Sequence, residues 1–140
     1  MRFTKSIIAG AALALSFAGS PGFAQVAPIV DIAAIQRACT SAEACKAAVA
    51  AAIAAIEAAG LPPAAVNTEL GNLAAAVVEV AKEADAPIEV ADVVEILEDI
   101  KDESTDTAQV SSFEEVIAEV QDSGVDDVDT DSAFGSSEAG

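Results

Sequence analysis

Two cysteines and a large excess of carboxylates are the side chains in this sequence whose type and spacing could do chemistry. Histidine is absent, so neither a serine nor a cysteine nucleophile has an imidazole to activate it. Carboxylates occur along the whole chain after Asp31. They read as solvent-facing, whereas a catalytic acid needs a buried, shifted environment. No glycine-rich phosphate loop is present. The sequence therefore reads as non-enzymatic. Cys39 and Cys45 are six positions apart. Two thiols without histidine or a second pair do not make a zinc site, and the spacing is not that of a thioredoxin-like redox pair. A structural disulfide is the expectation. It requires a bend, because six residues of continuous helix separate Cα atoms by roughly 10 Å, and a disulfide tolerates less than about 7 Å. Thr40-Ser41-Ala42-Glu43 supplies that bend as a capping box, with Thr40 at the N-cap and Glu43 at the third helical position.

The second candidate site is the segment Asp127-Val128-Asp129-Thr130-Asp131, continuing through Phe134 to Glu138. Asp127, Asp129, Asp131 and Glu138 fall at positions 1, 3, 5 and 12 of a twelve-residue loop, and the segment resembles the calcium loop of the EF-hand family. The resemblance implies oxygens from alternate residues converging on a hard cation, with affinity in the weak, millimolar range of extracellular modules. It departs from the family at Ser132, where glycine is usual. Gly124 also separates it from the preceding helix, and only Ala139 and Gly140 follow Glu138. Calcium is the one cofactor implied; otherwise none is expected.

Residues 1–24 read as a secretory signal peptide. Arg2 and Lys5 form a basic start, Ile7 to Ala18 is apolar, and Gly22-Phe23-Ala24 places small residues for a cut after Ala24. The apolar run of about a dozen residues is short of the roughly 20 needed to span a bilayer, so no permanent anchor is expected after cleavage. Lone Arg2 does not make a twin-arginine signal. The signal resembles those of Gram-negative bacteria, which puts the mature chain in the periplasm or outside the cell.

Cleavage would move the formal charge from −18 to −20, because Arg2 and Lys5 leave with the signal. The remaining bases are Arg37, Lys46, Lys82 and Lys101. Such a chain has no basic face with which to displace phosphate counterions, which excludes nucleic-acid binding. It favours cations and basic partners instead. Past residue 24 the aromatics are Phe113 and Phe134, and alanine dominates. Alanine is the best helix former but buries little area, so the core should be thin.

The pattern predicts an all-α fold: a small antiparallel bundle of four to five short helices. Residues 25–40 form an N-terminal segment with a short helix over 29–38, residues 41–123 an alanine-rich helical domain, and residues 124–140 a disordered acidic tail. In the domain, Cys45, Val49, Ile53 and Ile56 make one stripe over 41–59. Gly60 ends that helix and Pro62-Pro63 open the next. Val66, Leu70, Leu73, Val77 and Val80 form a seam over 63–84, interrupted by Gly71, which would allow a close approach. With so short a connection these two helices should pack antiparallel. A fourth helix is expected over 88–102 and a fifth over 112–122, the latter behind capping serines at 111 and 112.

These features predict an exported interaction or structural module with a strongly acidic surface that engages a basic protein or keeps the chain in solution. The alternative is weak calcium or cation binding by the tail. A third expectation is a homo-oligomer formed through the seam of the helix over 63–84.

Overall fold

The computed structural model describes residues 28–134. The segment 1–24 expected to be a signal peptide, with the expected cut after Ala24, and Glu138 lie outside the described residues. Six helices appear among the described residues: α1 Ile32–Ala38, α2 Ala42–Ala58, α3 Pro63–Ala81, α4 Val90–Asp102, α5 Thr107–Ser123 and α6 Thr130–Phe134. The fold is all-α, as the 3.6-residue periodicity predicts, with one helix more than expected.

Central in the packing is α3, with ten of its nineteen residues buried and contacts to α1, α2, α4 and α6. The predicted seam is the reason: Leu70, Leu73, Val77 and Val80 are all buried. They meet Val93, Leu97 and Ile100 of α4, Phe113 and Val120 of α5, and Val49 and Ile56 of α2 in a single core. Asn67, near the start of α3, accepts hydrogen bonds from Thr105 N–H at 3.3 Å and the Ser104 hydroxyl at 3.4 Å. That contact puts the start of α3 at the end of α4, so the two helices run in opposite senses. Lys46 near the start of α2 meets Asp92 and Glu95 near the start of α4, so α2 and α4 run in the same sense. It follows that α2 and α3 are antiparallel. Their connection turns at Gly60, whose φ of +62° lies in the left-handed region that glycine reaches without a Cβ penalty, and Pro63 opens α3.

The N-cap of α2 is Ser41, not Thr40. Its hydroxyl accepts from Ala44 N–H at 3.2 Å, the residue-to-residue spacing of a capping bond shifted by one position. Two adjacent hydroxyl residues offer nearly equivalent registers, and the second wins. The chain break between α1 and α2 brings Cys39 and Cys45 to a Cα separation of 4.0 Å, and their sulfurs are bonded. Both cysteines are buried, so the bridge staples α1 to the first turns of α2 inside the core. Closing so short a loop in the unfolded chain contributes roughly 2 kcal/mol. The Cys39→Ala, Cys45→Ala double variant should lose about that much in a urea titration; a midpoint unchanged from the parent would mean the bridge is mechanically idle.

Helix α5 begins at Thr107, five residues before the predicted start. Asp106 caps it, accepting from Ala108 N–H at 2.8 Å and Gln109 N–H at 3.4 Å. Ser111 and Ser112, read from sequence as caps, lie inside the helix, and their hydroxyls donate to the carbonyls of Thr107 and Ala108. Hydroxyls four residues into a helix have this second option, and the stronger Asp cap upstream decides the boundary.

The largest departure is at the C-terminal side. Residues 124–134, expected to be part of a disordered tail, are packed. Gly124 closes α5 with φ +86°, and the chain turns back along α3. Val125 and Val128 are buried. Lys82 donates to the Val128 carbonyl at 2.6 Å, and Thr130 donates to Glu79 at 2.9 Å. Further along, a Cβ at Gly71 would stand 3.0 Å from the Phe134 carbonyl oxygen. The contact order, Lys82 to Glu79 to Gly71 on α3 against Val128 to Thr130 to Phe134, makes the segment antiparallel to α3. Gly71 does permit a close approach, chiefly by the backbone of α6, with the Gln109 side chain of α5 next to it. Phe134 also packs its ring 5.4 Å from that of Phe113.

Candidate functional site

The sequence-derived site residues fall into two places. Cys39 and Cys45 form the buried bridge. Asp127 and Asp129 lie in the turn before α6, and Asp131 lies inside it. Asp129 acts there as a helix cap: one carboxylate oxygen accepts from Ser132 N–H at 3.2 Å and the other from the Ser132 hydroxyl at 2.7 Å. The hydroxyl bond first, then the backbone bond, holds the Asp129 carboxyl below its ordinary range. Asp131 sits in the first turn of α6, where a negative charge suits the helix dipole. Among the described residues, no three His, Cys, Asp or Glu side chains are placed to hold a metal ion.

A different set of carboxylates is brought together by packing. Between α2 and α4 runs a groove of about 330 Å³. Val49, Ala50, Ile53 and Ala54 of α2 and Ile96 of α4 line it, and Glu57, Asp99, Asp102 and Glu103 rim it. Lys46 lies at one end. Its ammonium is held above the usual lysine value first by the hydrogen bond to Glu95, at 2.6 Å, with Asp92 at 3.4 Å. Lys46 is thus committed to α4 and leaves the rim carboxylates without a cation. At the other end the groove continues into a cleft of about 260 Å³. Ile53, Ile56, Leu61, Val66 and Leu70 make its apolar lining, and Glu57, Glu103 and Thr105 border it. Ile53, Glu57 and Glu103 belong to both.

Local sequence explains the shape. The side of α2 turned to the groove carries alanine at 50 and 54, and a methyl group fills little of the space between two helix axes. The facing edge of α4 carries the acidic side of an amphipathic helix, with Val93, Leu97 and Ile100 turned into the core. Asp99 lies on the polar face of that helix, and the pairing of that face with the alanines of α2 is a tertiary fact.

Two further carboxylates serve the scaffold. Glu69, only 7% exposed, accepts from Ile29 N–H at 3.2 Å and Val30 N–H at 3.1 Å, tying the segment before α1 onto α3. Glu79 accepts from Thr130 and from Lys82 at 3.2 Å. The Thr130 bond first, then Lys82, lowers its carboxyl below the ordinary glutamate value. Sequence reasoning missed Glu69; its signal was a single acid beside Leu70 in the otherwise apolar seam of α3.

No family model, curated protein sequence or solved structure matches the chain. No helix among the described residues is long and apolar enough to cross a membrane.

Proposed function

We propose that this chain is an exported, non-enzymatic interaction module whose acidic surface engages a basic protein partner. The supporting observation is the unbalanced charge of the fold. Residues 28–134 hold four of the six basic residues and all but one of the 24 acids. Lys46 and Lys82 are already paired within the fold, and Arg37 donates to the Ala33 carbonyl of its own helix. Lys101 is the fourth base, and among the described residues the ion pairs reach only Asp92, Glu95 and Glu79, so carboxylates far outnumber the cations that could balance them. Such an excess of negative charge draws basic partners and speeds their encounter at low ionic strength. The buried Cys39–Cys45 bridge supports an extracytoplasmic home, because such bonds persist in oxidising compartments.

The test uses chain recovered from its host. Its intact mass should equal that of residues 25–140 less two hydrogens. Immobilised, it should retain at least one basic protein from the same compartment at low salt and release it at high salt, since exposed charge contacts are screened within a Debye length. Retention that does not respond to salt, or no retention, would remove the electrostatic reading.

A further inference from the structure

We infer that the α2–α4 groove is the docking site for a cationic peptide segment carrying one bulky apolar side chain, with lysine or arginine side chains along Glu57, Asp99, Asp102 and Glu103 and the apolar side chain in the cleft of Ile53, Ile56, Leu61, Val66 and Leu70. The inference rests on the reading that the acidic surface recognises a basic partner, and it names where and by what chemistry.

Three observations converge on this occupant. The first is charge complementarity. The groove rim holds four carboxylates, while its one lysine is tied to Asp92 and Glu95. Among the described residues none of the four is in an ion pair, so a bound cation displaces no existing partner. The second is the lining. Acids on an open surface would take any cation, but here Glu57 and Glu103 also border an apolar cleft that a hydrated ion cannot use. Filling it removes aliphatic surface from water at roughly 25 cal/mol per Å², so the ligand must be both cationic and apolar. The third is length. Lys46 to Glu57 spans eleven helical steps, about 16 Å, which matches roughly five residues of extended chain. A second copy of this chain is the poorer occupant, because it would bring its own excess of carboxylates to a carboxylate rim. Anchoring by one buried apolar group, with charges at the edge setting orientation and encounter rate, is the usual division of labour at such interfaces.

The experiment is calorimetric titration of the mature chain with a short lysine-rich peptide containing one leucine, and with the same peptide carrying glycine in place of leucine. Three variants accompany it. Asp99→Asn, Asp102→Asn, Glu103→Gln neutralises the rim. Glu114→Gln, Glu115→Gln, Glu119→Gln removes the same charge from α5. Ala54→Trp fills the groove without changing charge. All seven positions are exposed, and circular dichroism of each variant is the check on its fold. The rim variant and Ala54→Trp should each weaken the leucine peptide about tenfold, or roughly 1.4 kcal/mol. The α5 variant should change it less than about twofold, and the glycine peptide should bind several-fold more weakly, in keeping with one lost anchor. Equal losses in the two charge variants, or full affinity in Ala54→Trp, would overturn the groove while leaving a general acidic surface in place. No binding of either peptide would remove both readings. Sedimentation of the free chain as a dimer that Ala54→Trp dissociates would assign the groove to a second copy and overturn the inference.

Discussion

Phe113→Ala should lower the unfolding free energy by about 3–5 kcal/mol, the range for emptying a buried aromatic site. The ring is the largest fully buried side chain, in a core otherwise built from valine, leucine, isoleucine, alanine and the cysteine bridge. Protein interiors relax only in part around a gap of this size, so much of the cavity should persist. The loss extends beyond the core, because the ring of Phe134 rests against that of Phe113 at an interplanar angle of 43°, a tilted pair worth about 0.5–1.5 kcal/mol beyond its buried area. The total stability of a domain this size is roughly 5–15 kcal/mol, so the variant should stand near its unfolding threshold at body temperature. Urea titration with an unchanged slope measures the loss. Limited proteolysis should find new cleavage after Gly124, since α6 has lost its aromatic contact. A loss under about 1 kcal/mol would mean the core repacks around the gap. Phe134→Ala is the companion: partly exposed, it should release α6 to protease at a much smaller cost in global stability.

That coupling explains where sequence reading succeeded and where it stopped. The seam of α3 was legible because Leu70, Leu73, Val77 and Val80 recur at steps of three and four, a periodicity that survives without tertiary knowledge. The Cys39–Cys45 bridge was legible because helix geometry forbids it in a continuous helix and the capping residues between them allow the break. The segment after Gly124 was not. Its composition is acidic and its apolar groups are few, Val125, Val128 and Phe134. The segment is held by groups distant in sequence: the Lys82 ammonium on the Val128 carbonyl, the Glu79 carboxylate on Thr130, and the missing side chain at Gly71 and the ring of Phe113 against Phe134. Composition measures how much apolar area a segment owns, but the order of this one depends on what α3 and α5 offer it. The groove was hidden for a related reason. The acids of α4 and the alanines of α2 are each unremarkable on their own helix, and only the parallel alignment set by Lys46 puts them across from one another.

Glu69 is the sharpest case of a residue that pattern could not interpret, and its replacement carries the second large effect. Glu69→Ala should destabilise the fold by about 2–3 kcal/mol. A buried carboxylate is costly unless its oxygens are satisfied, and here each oxygen accepts one backbone N–H, from Ile29 and from Val30. Hydrogen bonds to a charged group contribute about 1.5–3 kcal/mol each. Alanine removes both acceptors and strands two donors, one of them on buried Val30. Two effects keep the loss below the sum of the bonds. Removing the charge relieves its own desolvation, and the segment before α1 has an escape: it can lift off α3 and hydrate its N–H groups, giving up the burial of Val30. Escape predicts a local signature. Amide exchange at Ile29 and Val30 should accelerate far more than at Leu73 or Leu97, while α1 stays tethered through Cys39. Glu69→Gln separates charge from geometry. Its amide offers one acceptor oxygen and turns an NH₂ toward the second donor, so it should keep one bond and lose roughly half as much. If Ile29 and Val30 stay protected in Glu69→Ala and the urea midpoint does not move, the carboxylate is a tolerated passenger and apolar packing with the Cys39–Cys45 bridge holds the N-terminal segment.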